Sequence, residues 1–517
     1  MIDEIKQKLS IAKVELKTEQ AALRSLVAVR DNAKRAAKTA VMFRGLPFYF
    51  RIGMDFRGRM YYKGAHLNPQ MGDDIKSTLV LANKKPLGAD GYKWLLWGVA
   101  SSAGFDKADF QTRVNYALDN LFEIKEAVAN PNESEFFKKV HADGEPALFL
   151  QRAGELVKAV ESGSIQTYET DITIAMDATC SGLQLLSAVA RDAEGGSLVN
   201  ITATAEGQTE KRDVYSKVCQ LILEKYKDMP DNFFAKWITT YGLPRRFTKK
   251  VVMTLPYSAT VRGAISYVQE ELYGNPEKGA LPYDLPTDPA DRLSLLMAAR
   301  ALAHIDRVDE DISTDSLYYV MATVLARDMH ETCYKILPAA MKLLEFFKST
   351  PSHLFDHAIW NTPDGLHVKQ LYGVKENFDF HYKFMHTDPS TGEIQPMVVR
   401  RNYNYLDPSE KNRSKAANGM PPNWVHSLDA TLVRRVVLKC PFDIVCIHDS
   451  FAAHPSDCNK LASILREEFV WLIEQDPLGT LIKQLNDQVG AQVFSTEGLM
   501  VNTLKTDDPL RSEFLFC

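Results

Sequence analysis

Two aspartates stand directly after apolar runs that predict β-strands. Asp177 follows residues 171–176, and Asp449 follows residues 442–447 and one histidine. Because strands commonly end at polar turn residues, each aspartate could simply begin a turn. If the fold instead brings the two strand ends together, the carboxylates could hold two Mg²⁺ ions, since this ion prefers oxygen ligands. Such a pair of ions can activate an attacking hydroxyl group and stabilise a departing pyrophosphate.

A strongly basic segment supplies a second chemical element. Four of the six residues from 245 to 250 are cationic, and a preceding proline suits the start of a helix. Arg245 and Lys249 are four residues apart, so they share a helix face that could bind nucleotide phosphates. Tyr257 lies two turns further along, although Pro256 predicts that the helix kinks or ends there. A solvated basic helix face is the simpler interpretation of the same residues.

The elements that must position these residues are mostly helical. Residues 1–44 lack Gly and Pro and carry apolar side chains at alternating three- and four-residue spacing, which predicts one long helix or a helical hairpin. Helices are expected to dominate from about 205 to 272, and a loop is expected at the proline-rich residues 275–292. Residues 376–404 predict a β-hairpin around the turn sequence Asp388–Gly392.

Composition restricts the class of protein. The net charge is −5, so the chain is not coated in basic surface, although a basic channel balanced by acid elsewhere is compatible with nucleic-acid binding. The seven cysteines form no CxxC pair, which argues against a zinc site and favours reduced thiols. Neither a long apolar run nor a secretory signal is present, so we expect no membrane segment and a cytoplasmic location.

Together these elements resemble the three polymerase motifs of the single-subunit DNA-directed RNA polymerases of bacteriophages and mitochondria. The three similar segments are Asp177-Ala-Thr-Cys-Ser-Gly182 for motif A, Arg245-x3-Lys249-x7-Tyr257 for motif B, and His448-Asp449-Ser450 for motif C. Four further matches are Asp55-Phe-Arg-Gly-Arg59, Thr362-Pro-Asp-Gly365, Asn423-Trp-Val-His426-Ser-Leu-Asp429 and Ser512-Glu-Phe-Leu-Phe-Cys517. Any single motif is weak, but all seven occur in the family's order across residues 45–517.

The resemblance implies a helix-rich α+β fold with the right-hand architecture of palm, fingers and thumb. The palm sheet would be antiparallel, the fingers helical and the thumb partial. The expected domains are a helical thumb-like segment at 1–44, the palm with motif A at 45–204, the fingers at 205–410, and a segment at 411–517 that returns through the fingers to motif C and a C-terminal foot. The hairpin near 376–404 matches the position of the family's specificity loop, which reads promoter DNA.

The resemblance also implies DNA-templated RNA synthesis from ribonucleoside triphosphates, with two Mg²⁺ ions and release of pyrophosphate. The DNA template, the RNA product and the nucleotides would be the binding partners. The implied metal ligands are Asp177, Asp449 and the Ala178 carbonyl. The implied nucleotide-binding residues are Arg245, Lys249, Lys250, Tyr257, Gly182 and His426, of which Arg245, Lys249 and Tyr257 would also serve catalysis. The implied nucleic-acid-binding residues are Asp55, Arg57, Arg59 and His448. A simpler interpretation of His426 is a buried histidine satisfied by its own fold.

The nearest alternative is a DNA polymerase or a primase of the same superfamily. Related DNA polymerases carry a glutamate five residues after the motif A aspartate, where it blocks a ribose 2′ hydroxyl, and Gly182 occupies that position here. Their motif C usually ends in glutamate, whereas Ser450 follows Asp449 here. Both differences favour ribonucleotides. A non-catalytic nucleic-acid-binding or assembly subunit is a third possibility, but it would be expected to lack Asp177, Lys249 or Asp449, and all three are present.

Two departures from the family pattern bear on partners and on sugar selection. Family members carry several hundred residues before the Asp55 motif, and 54 residues precede it here. We therefore expect a heterodimeric bacteriophage enzyme, active in the bacterial cytoplasm, in which a second polypeptide supplies the N-terminal domain and the rest of the thumb and docks on an apolar seam at residues 2–26. In addition, Ser258 stands where the family usually has glycine, and Pro256 is unusual, which bears on the geometry around Tyr257.

Overall fold

The structure, a computed structural model, describes residues 2–274, 283–305, 311–387 and 392–517. Most of these residues are helical. The helices are α1 (Ile2–Phe43), α2 (Asp73–Lys76), α3 (Gly88–Ser102), α4 (Phe110–Asp119), α5 (Leu121–Ala129), α6 (Glu135–Asp143), α7 (Pro146–Glu161), α8 (Ser181–Val189), α9 (Ala193–Leu198), α10 (Val214–Lys227), α11 (Phe233–Tyr241), α12 (Arg245–Thr254), α13 (Val261–Tyr273), α14 (Pro289–Ala303), α15 (Thr314–Ile336), α16 (Pro338–Ser349), α17 (Arg413–Lys439), α18 (Cys458–Glu474) and α19 (Pro477–Val489).

The strands are short, apart from one long ribbon, and all their pairings are antiparallel. They are β1 (Ile52–Met54), β2 (Met60–Tyr62), β3 (Lys85–Pro86), β4 (Glu169–Thr170), β5 (Ile174–Asp177), β6 (Ile359–Asn361), β7 (His367–Lys369), β8 (Gly373–Thr387), β9 (Ile394–Lys411), β10 (Ile444–Ile447) and β11 (Ser450–Ala453). The prediction of a helix-rich α+β fold is therefore confirmed, whereas the division into palm, fingers and thumb stays a prediction.

A three-stranded sheet, in the order β10-β11-β5, holds both segments that the sequence predicted as strands. Its buried face is apolar because alternate side chains of each strand point to the same side. Ile174 and Met176 on β5 and Phe451 and Ala453 on β11 are fully buried on this face. The face belongs to one continuous hydrophobic core that extends from Leu87 to Phe516. The sheet is therefore a rigid base for residues at its ends.

The N-terminal segment is one helix rather than a helical hairpin. The C-terminal part of α1 is attached through Ala36, which packs with Leu67 and Ile75 in a small cluster separate from the main core. Further towards the N-terminus, Leu16 and Leu23 are about 60% exposed. The apolar seam expected here is therefore uncovered at these described positions.

The β8–β9 ribbon is longer than the hairpin predicted at 376–404, and residues 388–391 of its predicted turn lie outside the described residues. Strand alternation gives the ribbon two different faces. One face carries the rings of Phe380, Tyr382 and Phe384, whose centroids follow one another at 6.5 and 5.8 Å. The opposite face presents hydrogen-bonding side chains, among them Asn402, which donates to Asp379 at 2.7 Å.

The prediction of a loop at 275–292 is wrong at its C-terminal end, because α14 begins at Pro289. Proline suits the first turn of a helix, where its missing N–H would have no intrahelical partner, so proline content alone overestimated the loop. Residues 275–282 lie outside the described residues. The prediction that Pro256 ends the basic helix is confirmed, since α12 stops at Thr254 and a 3₁₀ turn follows. Across the described residues, none of the helices is both long and apolar enough to span a bilayer.

Candidate active site

The structure brings Asp177 and Asp449 to the same end of the three-stranded sheet. Asp177 is the last residue of β5 and pairs with Ser450, the first residue of β11. Asp449 occupies the tight turn between β10 and β11, and its carbonyl accepts a hydrogen bond of 3.2 Å from the N–H of Ala178. His448 precedes it with φ +54, a left-handed conformation that closes this turn. Sheet pairing therefore joins two aspartates that are distant in the sequence.

The negative charges of the two carboxylates repel each other, and a bound cation would relieve this repulsion. Burial raises the pKa of Asp177, and the nearby Asp449 raises it further, while a hydrogen bond from Ser450 opposes both effects. The Asp177 side chain is exposed at the end of the strand and lines a cleft. Two like charges so placed favour a divalent cation between them. Among the described residues no group of three or more His, Cys, Asp or Glu side chains could form a metal site.

The C-terminal tail fixes the backbone on which Asp177 stands. The N–H of Cys517 donates to the Asp177 carbonyl at 2.9 Å, and Thr179 donates to the Phe514 carbonyl at 2.8 Å. Phe514 and Phe516 are almost fully buried. The phenylalanines of the tail therefore pack in the core, while its last residue borders the same cleft as Asp177.

The cleft has a volume of about 1080 Å³, which is sufficient for a nucleotide. Asp177 and Ser450 form part of one wall, and Arg245 and Lys249 on α12 face the same space. Residues 40, 41 and 43–48, at the end of α1 and just beyond, also line it. The cleft thus joins Asp177, one of the two carboxylates predicted to bind metal, with the cations predicted to bind phosphate, while Asp449 lines a separate small pocket.

The four cations of α12 are not equivalent. Three of them form ion pairs, Arg245 with Asp213 at 2.6 Å, Arg246 with Glu271 at 3.2 Å and Lys250 with Glu270 at 2.8 Å. Lys249 is exposed and has no hydrogen bond or ion pair within the described part of the chain. The cause is helical geometry, since successive residues differ by about 100° and only Arg245 and Lys249 share the cleft side. The structure therefore does not bring Lys250 into the cleft.

Asp213 is a site residue that the sequence analysis missed. Its carboxylate caps α10 through the N–H of Tyr215 at 3.1 Å and also accepts from Arg245 Nε. The Arg245 guanidinium lies 4.8 Å above the Tyr215 ring. Arg245 is therefore held in place while its terminal N–H groups stay available. The sequence contains no local signal for this pairing, because the two partners come from different helices.

Tyr257 lies in the 3₁₀ turn after α12, close to the start of α8. Burial raises the pKa of its hydroxyl group, which is hydrogen-bonded to Ser181. The following residue, Ser258, has φ +67, a conformation that costs a non-glycine residue roughly 1–2 kcal/mol. The turn therefore has the left-handed backbone that glycine adopts most easily, even though serine occupies the position. A Cβ built on Gly182 would lie 2.9 Å from the Tyr257 hydroxyl oxygen.

The loop from Asp55 to Arg59 folds around the Asp55 carboxylate. Asp55 accepts from the backbone N–H groups of Arg57 at 3.0 Å and Arg59 at 3.1 Å, and Gly58 at φ +93 permits the tight turn. Burial raises the pKa of Asp55, but the hydrogen bonds and charge of Arg57 and the two backbone N–H groups outweigh it, so the pKa is lowered. The Asp55 carboxylate is therefore ionised at neutral pH.

This loop reaches α17, where His426 and Asp429 lie one turn apart. Arg57 Nη1 lies 2.7 Å from His426 Nδ1, and the His426 ring centroid lies 4.7 Å from that of Tyr257. Arg59 forms a bidentate ion pair with Asp429, with Nε 3.1 and 3.2 Å from the two carboxylate oxygens. The loop predicted to bind nucleic acid is therefore attached directly to the histidine predicted to bind nucleotide.

Asp429 is a second residue to which the sequence analysis gave no role, although it closes one of the seven motifs. It is 3% exposed, and burial raises its pKa while Arg59 opposes this effect. With His448 and Asp449 it borders a small pocket behind the sheet turn. His448 itself packs edge-on against Tyr61, with ring centroids 5.1 Å apart. Motif membership was the available signal for Asp429.

Comparison with known proteins gives a consistent result. The family model described as DNA-dependent RNA polymerase matches residues 85–509. The chain is 29% identical over 463 residues to the DNA-directed RNA polymerase of Pseudomonas phage phiKMV, covering 85% of this chain and 50% of that protein. It is 27% identical over 475 residues to the mitochondrial DNA-directed RNA polymerase of Neurospora crassa, covering 85% of this chain and 31% of that protein. The chain thus spans about half, or less, of the length of these relatives.

Proposed function

Because the chain belongs to the DNA-dependent RNA polymerase family, we propose that it catalyses DNA-templated RNA synthesis from ribonucleoside triphosphates, with release of pyrophosphate. The observation that carries this proposal is the pairing of Asp177 with Ser450, which places two carboxylates at one end of a sheet beside a cleft lined by Lys249. Carboxylates and a free cation around one cleft are the groups that nucleotidyl transfer requires.

Asp177, Asp449 and the backbone carbonyl of Ala178 would hold two Mg²⁺ ions. The fit rests on the burial of Asp177 and on its repulsion from Asp449, which both raise the pKa of Asp177 and which a cation would offset. Mg²⁺ commonly takes one or two protein carboxylates and completes its shell with water and substrate phosphates, so a site without a third acidic side chain suits it. When bound, such ions activate the attacking 3′ hydroxyl and stabilise the charge on the leaving group.

Lys249 would bind the triphosphate and could donate a proton to the departing pyrophosphate. Its ammonium group faces the cleft without a competing acid among the described residues. Arg245 would bind a second phosphate oxygen through the terminal N–H groups that its ion pair with Asp213 leaves available. Lys250 has its own partner, Glu270, so its role as a nucleotide-binding residue stays a prediction with less support.

Tyr257, Gly182 and His426 would surround the sugar and the nascent base pair. Gly182 would leave room for a 2′ hydroxyl because it has no side chain, and a side chain at this position would also meet the Tyr257 ring. The absence of a side chain at Gly182 favours ribonucleotides and disfavours the alternative of a DNA polymerase. The close contact between Tyr257 and His426 supports a shared role at the insertion site.

The nucleic acid would lie against the loop of Asp55, Arg57 and Arg59, with His448 nearby. The β8–β9 ribbon would read promoter DNA, because a two-stranded ribbon fits the major groove and its polar face offers hydrogen-bonding groups. In this arrangement residues 45–204 and the end of 411–517 would form the palm, 205–410 the fingers, and 1–44 a thumb-like helix. The comparisons give no support to the expected second polypeptide, which stays a prediction that a mass measurement of the natively purified, active enzyme would test.

Primer extension tests the proposed function directly. The purified chain is mixed with Mg²⁺ and an RNA primer annealed to DNA templates that differ in one base, and each nucleotide is offered singly. The proposal predicts that the incorporated nucleotide always matches the template base and that ribonucleotides are used in preference to deoxynucleotides. Extension with deoxynucleotides alone, or incorporation that ignores the template, would contradict it.

A further inference from the structure

The contact between Arg57 and His426 determines which nitrogen of the histidine carries a proton. Arg57 Nη1 and His426 Nδ1 are 2.7 Å apart. A guanidinium group has donors only and is not deprotonated in proteins. His426 Nδ1 must therefore accept through its lone pair, and the imidazole is the neutral form with its proton on Nε2.

Arg57 is itself fixed before it meets the histidine. Its Nη2 and Nε donate to the same oxygen of Asp55 at 2.6 and 3.0 Å, and its backbone N–H donates to the other oxygen. The guanidinium also lies 5.6 Å from the Phe56 ring centroid. The side chain is held from three directions, so the hydrogen bond to His426 is made by a donor whose position is set in advance.

The charged groups around His426 also exclude its protonated form. Arg57 and Arg59 face it from the loop, His448 faces it from the sheet turn, and the Tyr257 ring packs against it. Burial, followed by the positive charges of Arg59 and Arg57, lowers the pKa of His426 to about 2. The imidazole is therefore neutral at neutral pH.

We propose that Arg57 is a positioning residue that locks His426 as a neutral Nε2–H donor for an uncharged acceptor of the nucleotide, such as a ribose hydroxyl oxygen or a base edge. A neutral donor suits these groups better than a phosphate, which the cations of α12 already serve. The choice of a nucleotide as ligand rests on the proposed function, whereas the locked tautomer rests on the contact between the two side chains.

Nitrogen NMR of the imidazole tests the locked tautomer without any polymerase activity. Histidine is labelled with ¹⁵N in the full chain, and the His426 signals are assigned by their loss in His426→Asn. The wild-type protein is expected to show an unprotonated Nδ1 and a protonated Nε2 from pH 6 to 8. Arg57→Met should produce tautomer exchange or protonation within this range, and Arg57→Lys, which keeps a donor, should restore the wild-type pattern at least in part. The same Nε2–H pattern in Arg57→Met would overturn the inference.

Arg435→Met is the matched control, since Arg435 lies on α17 with His426 but pairs with Glu468 at 2.7 Å. It should leave the His426 signals unchanged. A change in this control equal to that in Arg57→Met would show a general loosening of α17 and would also overturn the inference.

A double-mutant cycle tests the link to the nucleotide. Arg57→Met should raise the KM for ribonucleotides about 5- to 10-fold with kcat changed less than about twofold, the size expected for one oriented hydrogen bond. In a His426→Ala background the same change should not raise the KM for ribonucleotides further, because Arg57 acts on the nucleotide through the histidine. Independent, multiplying effects would overturn the positioning role. A wild-type chain without activity would contradict the proposed function, and the NMR result would then decide the tautomer on its own.

Discussion

Gly182 and Tyr257 are packed so closely that a Cβ atom on Gly182 would lie 2.9 Å from the Tyr257 hydroxyl oxygen and 3.1 Å from its ring carbon Cζ. Real Cβ atoms essentially never approach another heavy atom to less than 3.0 Å, so a side chain at 182 must displace the Tyr257 hydroxyl group. Motif A and motif B are therefore in contact at Gly182. In the proposed function, the same small residue leaves space for the sugar and sets the position of the tyrosine.

Substitution of Gly182 is expected to damage nucleotide selection even when the new side chain is small. Gly182→Ala should displace Tyr257 and lower kcat/KM for ribonucleotides about 10-fold, and Gly182→Glu should abolish ribonucleotide use by filling the space of the 2′ hydroxyl. Single-nucleotide extension with ribo- and deoxynucleotides measures both effects.

Gly154→Ala is the matched control for this prediction. Gly154 also lies within a helix, but a Cβ there would meet nothing within 4 Å. Its replacement should leave kcat/KM unchanged and raise stability slightly. Equal kinetic behaviour of the two alanine variants would show that the contact with Tyr257 has no functional weight.

Lys249 and Lys250 are neighbours with different surroundings, and their removal should have different consequences. Lys249→Met is expected to lower kcat/KM about 100-fold, because it removes the unpaired cation that faces the cleft. Lys250→Met removes a solvent-exposed pair with Glu270 and should change kcat/KM less than about threefold. Steady-state extension kinetics with one nucleotide distinguish the two, and a larger loss in Lys250→Met would contradict the proposed phosphate site.

His426 should make the free energy of unfolding depend on pH. Its pKa is lowered to about 2 in the folded protein, whereas an unfolded histidine titrates near 6.5. The unfolded chain therefore binds a proton that the folded chain does not, so the contribution of the neutral histidine is complete above pH 6.5 and is lost as the pH falls. The expected loss at pH 5 is up to about 2 kcal/mol.

Chemical denaturation of the wild-type protein and His426→Asn at pH 7.5 and 5.0 measures this loss. The difference in free energy of unfolding between the two proteins should shift in favour of the variant at the lower pH. A constant difference at both pH values would mean that His426 in the folded protein takes up a proton at pH 5.0 as readily as in the unfolded chain, contrary to its contact with Arg57.

Removal of one partner of the ion pair between Arg59 and Asp429 should lower the stability of the folded protein. Asp429→Ala leaves a largely buried guanidinium without its partner and is expected to cost about 3 kcal/mol of folding stability. Replacing both residues, as Arg59→Met with Asp429→Leu, should cost less than the single change, because no unpaired charge is left. Denaturant titration monitored by fluorescence compares the variants, and a double variant less stable than Asp429→Ala would contradict this account.

Local sequence patterns predicted the strands and helix ends, which depend on residues that are close together in the chain. The apolar runs before Asp177 and Asp449 identified both strands, and Pro256 marked the end of the basic helix. By contrast, the choice of ion-pair partner depends on helices that meet only in the folded chain. The pairs of Arg245 with Asp213 and of Lys250 with Glu270 could not be found from spacing, and the second of these separated Lys250 from the site.

The measurement that tests the central claim most directly is single-turnover extension of an annealed RNA primer by Asp449→Ala. Its control is Asp443→Ala, which removes an exposed aspartate just before β10 of the same hairpin. If Asp177 and Asp449 form the metal-binding pair, Asp449→Ala should lose at least about 1000-fold in rate, with unchanged stability and primer-template affinity, while the control keeps the wild-type rate. An Asp449→Ala enzyme that extends the primer within about tenfold of the wild-type rate would contradict the account.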